Sequence, residues 1–259
     1  MKNSRETKPL KSAKGTIWQV GPHRIACGDA RDPELIGRLF GSTKIKSVIC
    51  DVLYGINYTD TKEDYADIMV KKQIANDDIT DDEEYAKFNE DWLKAIIPYL
   101  ASKNSVYIFN CDKMLFALHA GMKRAGIRST QLIVWIKNQP VIGRMDYLPQ
   151  HELIAYGWYK KHEFRRAKDK SVLFYPRPTK SPHHPTTKPL ALIKNLILNS
   201  TKVGDVVFDG FLGSGTTALS CQETGRVCYG CELDPEYCDT IVQRFEKRYG
   251  VTAYEVTWR

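Results

Sequence analysis

The stretch VVFDGFLGSGTT at residues 206–217 constrains the fold more than any other part of the 259-residue chain. An apolar run ends in Asp209, a turn containing Gly213, Ser214 and Gly215 follows at once, and a helical segment begins behind it. The glycines let a ligand approach the backbone closely, and in an open α/β sheet such a ligand lies outside the carboxyl end of the strand. The spacing is not that of a phosphate loop, whose Lys-Ser/Thr ending is absent, nor that of a dinucleotide GxGxxG turn. A second apolar run, VCYGCELD at residues 227–234, delivers Glu232 to a strand end. It stands about 20 residues beyond the glycine turn, where nucleoside-binding folds place a carboxylate that accepts hydrogen bonds from ribose hydroxyls.

The remainder of the chain repeats this strand-then-helix rhythm, which predicts an α/β fold with a largely parallel sheet. Strands are expected at residues 24–27, 46–50, 105–109, 131–136, 152–158, 206–208 and 227–231. A helix over 81–101 opens with acidic residues and carries Tyr85, Phe88, Trp92, Ile96 and Leu100 on one face. Asp112 is placed to cap a helix running to about 125, and Thr187 one that starts near Lys188 with Pro189 in its first turn. Two further helices are expected at 216–223 and 235–249. Three stretches break the rhythm. Residues 1–14 read as a disordered basic tail, 55–80 as a long loop, and 159–183 as a basic segment interleaved with Phe164, Phe174 and Tyr175.

One sizeable core suits this length, so residues 15–259 are read as a single domain. No apolar run approaches the ~20 residues of a membrane helix, and a cytoplasmic protein is expected. The formal charge of +7, with 38 Lys and Arg, is compatible with a polyanionic partner without demanding one. Seven cysteines, an odd number in mostly apolar segments, read as reduced thiols. Cys228 and Cys231 form a CxxC, but no second ligand pair stands at zinc-site spacing and no metal is expected.

A further segment, SVICDVLYG at 47–55, brings Asp51 to the end of a buried-looking strand with Tyr54 close behind. A carboxylate and an aromatic ring so spaced can hydrogen-bond and stack a planar base. With this segment the chain resembles the DNA amino methyltransferases in the permuted order of the β group. Similar methylases occur alone or behind a partition-protein-like nuclease domain. The family places a D/S/N-P-P-Y/F/W catalytic loop early and a D-P-F-x-G-S-G-T-T cofactor loop late, and Asp51 to Tyr54 and Asp209 to Thr217 stand at those places. Three more segments match in order: WQVGPHRIACGD at 18–29, HPTTKP at 184–189 and YGCELDPEY at 229–237.

The resemblance implies a seven-stranded, mostly parallel sheet with one reversed strand and S-adenosylmethionine (SAM) as cofactor. Asp29 would contact the adenine of SAM and Glu232 its ribose. Asp209, Phe211, Gly213, Ser214, Gly215 and Thr216 would enclose the methionine part, with Lys188 and Thr187 in the same pocket wall. A base of double-stranded DNA would flip out; Asp51 and the Val52 carbonyl would accept its amino hydrogens while Tyr54 stacks on the ring. An acidic first residue with tyrosine implies adenine N6 over cytosine N4, which stays open as the alternative. A homodimer is compatible with the group.

The sequence departs from the family at its prolines: Val52 and Leu53 replace two, and Gly210 replaces the one after Asp209. Their absence predicts a looser loop, and so a slow enzyme or a silent relative that only binds SAM or DNA. An RNA or small-molecule methyltransferase is a further rival. An insertion around 138–183 is read as the target-recognition and DNA-binding part. Arg144 and Gln150 are candidates for base edges there, and Lys160, Lys161, Arg165, Arg166 and Lys168 for phosphates. Restriction-linked modification, orphan regulation and phage defence share this signature.

Overall fold

A computed structural model describes residues 12–52, 79–142, 146–166, 168–177 and 188–257. Seven strands form the centre of its sheet: β2 (His23–Cys27), β3 (Ile45–Asp51), β4 (Leu100–Asn110), β5 (Arg128–Ile136), β6 (His151–Trp158), β9 (Val206–Asp209) and β10 (Val227–Glu232). Their spatial order is β2-β10-β9-β3-β4-β6-β5, and β6 is the one reversed strand. This is the mostly parallel sheet that the resemblance implied. Four short strands bring the total to eleven among the described residues. β1 (Ile17–Val20) and β11 (Ala253–Glu255) extend the β2 edge, β8 (Val172–Phe174) the β5 edge, and β7 (Lys161–His162) pairs with β4.

Both faces of the sheet are covered, so its central strands are apolar throughout rather than alternating. In β4, Val106 and Ile108 point into a core shared with α1 (Pro33–Phe40), α2 (Asp82–Ile96) and α3 (Leu115–Arg124). Tyr107 and Phe109 point the other way, into a core shared with α4 (Leu190–Ser200), α5 (Thr216–Thr224) and α6 (Pro235–Tyr249). The same alternation separates the CxxC thiols: Cys228 lies in the second core and Cys231 in the first, so the two cannot bind one ion. Among the described residues no group of three metal-ligating side chains gathers, and no helix is long and apolar enough to cross a membrane.

Connectivity opens a crevice at the centre of the sheet. From β3 the chain returns to β4 on one side, whereas from β9 it passes through α5 to β10 on the other. The segments leaving these neighbouring strands therefore diverge at their carboxyl ends, the switch point where open α/β sheets bind ligands.

Several element boundaries differ from the sequence expectation. α2 ends at Ile96 rather than 101, because Pro98 forces a 3-10 turn over Ile97–Tyr99 and β4 begins at Leu100. Asp112 does not cap α3. Its carboxylate accepts from the Lys113 N–H (3.1 Å), two residues before the helix starts at Leu115. Pro189 is the residue before α4 rather than part of its first turn. Helix α1 was not anticipated, although Asp32 accepts from the Glu34 and Leu35 amides and Pro33 opens the helix. Of the stretch read as a basic tail, residues 1–11 lie outside the described residues, and Ser12 is held by side-chain contacts. The Ser12 amide and hydroxyl both donate to Asp239 on α6 (2.9 and 2.5 Å), and the Trp18 indole donates to the Ser12 hydroxyl (2.8 Å).

Candidate active site

The glycine loop after β9 is held by its neighbours at every step. The Leu212 N–H donates to the Cys231 carbonyl (3.0 Å), the Gly213 N–H to Glu232 Oε2 (2.7 Å), and Arg244 donates to the Ser214 carbonyl. Gly215 has φ of 82° and a Cβ there would stand 3.0 Å from Ile241, so glycine alone fits before the first residue of α5, Thr216. Phe211 turns into an aromatic cluster, 5.8 Å from the Phe88 ring and 5.6 Å from Trp92. Helix α2 thereby anchors the loop from outside.

Three carboxylates from adjacent strand ends surround this loop. Asp209 accepts from the Phe211 N–H (3.0 Å), and burial pushes it up to about 7 against hydrogen bonds from Thr217 and that amide. Glu232 accepts from the Gly213 and Asp234 amides (2.7 and 2.9 Å) and is likewise raised by burial to about 7. Asp29, past the end of β2, is gripped by Arg31, whose Nε and Nη2 donate to Oδ2 at 3.0 and 2.7 Å. Burial works to raise this carboxyl, but the Arg31 contacts outweigh it and hold it below the usual range. The Arg31 guanidinium also lies 5.1 Å over the Phe88 ring. A set of acceptors around a glycine turn suits a ligand rich in hydroxyl and amino donors and carrying positive charge.

Asp51 ends β3 beside this loop. The two motifs are adjacent in space although 160 residues separate Cys50 from Gly210, whose N–H donates to Cys50 Sγ at 3.3 Å. Val52, in a family proline position, is 2% exposed and packs in the same core as Cys50 and Phe208. Apolar packing thus restrains a residue for which the sequence predicted looseness.

Lys188, expected in the wall of the cofactor pocket, places its ammonium on Asp51 Oδ2 (2.6 Å) and on Glu152 Oε2 (3.2 Å). Glu152 Oε1 in turn meets Lys137 Nζ (2.8 Å). Burial works to lower the Lys188 amine, and the two carboxylates outweigh it, raising the group above its ordinary value. Glu152 and Lys137 were not found from sequence; they stand in no motif, and the pairing of β5 with β6 brings them to the site. Arg31 was missed as well, although it stands only two residues beyond Asp29.

The candidate DNA contacts fall at opposite ends of the sheet. Gln150 is at the carboxyl edge, where its side chain donates to the Lys137 carbonyl (3.1 Å). Lys160 and Lys161 lie beside residues 103–104 near the start of β4, the edge away from Asp51. Arg165 and Arg166 pack on the second half of α4, the former donating its amide to the Asn199 carbonyl (2.6 Å) and the latter bonding Asn195, and Lys168 follows them. Tyr54, Thr187 and Arg144 lie outside the described residues.

Against this geometry, comparison with known proteins is specific. A family model described as DNA methylase, of the N6 and N4 group, matches residues 45–243. The chain belongs to this DNA methylase family. The match contains Asp51 and the whole glycine loop; Asp29 lies before it. Type II methyltransferase M.HpaI of Haemophilus parainfluenzae is 25% identical over 67% of this chain and 63% of its own length. Type II methyltransferase M2.DpnII of Streptococcus pneumoniae is 26% identical over 66% and 70%. The chain thus spans about two thirds of these relatives. Solved structures share the methylase fold. The M1.HpyAVI–SAM complex has a TM-score of 0.62 at 24% identity, covering 85% of this chain and 98% of that one. The cytosine-N4-specific PvuII DNA methyltransferase has 0.66 at 14%, covering 89% and 93%.

Proposed function

We propose that this protein transfers a methyl group from SAM to an exocyclic amino nitrogen of a base flipped out of double-stranded DNA, and that the base is adenine, modified at N6. The observation that carries the reading is the juxtaposition of Asp51 with the glycine loop at the switch point of the sheet, inside the span matched by the methylase family. Asp29 and Glu232 are suited to hold the adenosine part of the cofactor, and Asp209 with residues 211–216 its methionine end. SAM, when bound, supplies a methyl group already activated on a sulfonium centre.

The protein's own contribution is then position and charge. The Asp51 carboxylate and the Val52 carbonyl accept the two amino hydrogens and direct the nitrogen lone pair toward the donor. The choice of adenine rests on an acidic first residue in the catalytic tetrad together with Tyr54. Duplex DNA is assigned to the carboxyl edge, where Phe116 (83% exposed), Ile142 (85%) and Tyr147 (90%) present apolar side chains suited to wedge between base steps.

The test is mass spectrometry of nucleosides from unmethylated DNA incubated with the protein and isotopically labelled SAM, beside an Asp51→Ala control. Labelled N6-methyladenine that disappears in the control is expected. Labelled N4-methylcytosine would replace the base assignment, and no product despite saturable SAM binding would overturn the reaction.

A further inference from the structure

The ion pairs beside the glycine loop form a chain that reaches well beyond the catalytic tetrad. Asp51, Lys188, Glu152 and Lys137 alternate in sign over contacts of 2.6, 3.2 and 2.8 Å. The two lysine side chains are 7% and 5% exposed, and Glu152 is 14% exposed. Burying charges is costly, and an apolar cluster of the same volume often serves stability as well, so a chain ending on Asp51 calls for a role.

Geometry and charge supply one. The ammonium of a lysine sits on a flexible stem and fixes no direction by itself. Here Glu152 and the face of Phe109, 5.4 Å away, hold the Lys188 ammonium from other sides, while Lys137 holds the second oxygen of Glu152. The amino nitrogen that Asp51 receives becomes more positive as its new bond to carbon forms. An unbalanced Lys188 would oppose that charge; Glu152 offsets it, and Lys137 balances Glu152 in turn.

We propose that Glu152 and Lys137 are positioning residues that orient the Asp51 carboxylate through Lys188 and tie it to the hairpin between β5 and β6. The inference rests on the methyltransferase reading above. Lys137 stands at the mouth of that hairpin, where its N–H donates to the Gln150 carbonyl (2.8 Å). Nearer the tip, the Val141 N–H donates to the Pro149 carbonyl (3.0 Å). A load placed on the hairpin by a bound duplex is therefore delivered to the Lys137–Glu152 pair, and through it to the reacting base.

The test compares wild type, Glu152→Gln, Lys137→Met and the charge-balanced double variant in single-turnover transfer from labelled SAM to unmethylated DNA. SAM affinity and melting temperature are measured beside it. The double variant removes one anion and one cation, so it stays informative if either single change fails to fold. Turnover should fall about 10- to 100-fold in Glu152→Gln and in the double variant, with SAM affinity within about twofold of wild type. Lys137→Met should slow the reaction by itself yet add little in the Glu152→Gln background, since it acts through the same carboxylate. Wild-type turnover in the folded double variant would overturn this inference and leave the methyltransferase reading standing. Additive effects of the two single changes would overturn the relay through Glu152. A wild type that binds SAM and DNA but forms no labelled product would overturn both readings together.

Discussion

Two buried carboxyls, Asp209 and Glu232, set the electrostatics of the glycine loop at the scale of single residues. Glu232 is raised to about 7 by burial, so in the folded protein it holds its proton over a range where the unfolded chain, near 4.5, has lost it. Between these values the folded state binds more protons, and this group's contribution to stability declines as pH rises from about 4.5 to about 7. His23, buried and lowered, acts in the opposite sense below its ordinary value, so the effect of Glu232 is isolated by difference. In thermal melts, Glu232→Gln should gain on wild type as pH is raised from 5 to 8. A constant difference would show that the carboxyl is not perturbed. In the proposed role of Glu232 ribose hydroxyls donate to its ionised form, so SAM affinity of the wild type should strengthen through the same window. Gly210 makes a second residue-scale case. Proline there would lose the N–H donated to Cys50, and a Cβ already falls 3.1 Å from Ala30. Gly210→Pro should therefore cost more than about 1 kcal/mol in chemical denaturation, although it restores the family residue.

Among the elements, α2 does more than cover the sheet. Its buried face carries Tyr85, Phe88 and Trp92, and the latter two clasp Phe211 of the glycine loop. Trp92, fully buried, donates its indole N–H to Asn89 within the same helix (3.0 Å). Truncation to alanine should cost about 3–5 kcal/mol of stability through the cavity it leaves. It should also weaken SAM binding, read by calorimetry below the melting range, because the loop loses its outer wall. Lost stability with unchanged affinity would mean that the contacts from β10 and α6 suffice to hold the loop. The helix stops where Pro98 cannot continue it, which lets β4 start early and run eleven residues, long enough to pair with β3, β6 and β7.

Across the whole molecule, charge is divided between the two ends of the sheet. Lys160, Lys161 and Arg165 are on the edge where β4 begins, whereas Asp51 ends the neighbouring parallel strand β3. A strand of this length spans roughly 20 Å or more, so a duplex docked at Asp51 along the carboxyl edge does not meet these groups directly. Replacing all three by glutamine should leave turnover on a short duplex within about twofold. A much larger loss, suppressed by salt, would show that DNA wraps onto that edge.

The sequence by itself determined most of the strand-turn-helix units, α1 excepted, because the period of buried residues and the glycines that admit a ligand are local properties. It also brought out Asp51, Asp209 and Glu232, each of which ends a strand and so had to face the carboxyl edge. Tertiary structure alone decided which strands are neighbours. It set β3 against β9 across 160 residues and paired Lys188 with Asp51. It drew Glu152 and Lys137 into the same chain of charges and sent much of the basic segment to the far edge. The physical reason is that ion pairs and strand neighbours are fixed by the order of the sheet. That order depends on burying both faces of every central strand at once, and no window of sequence contains it.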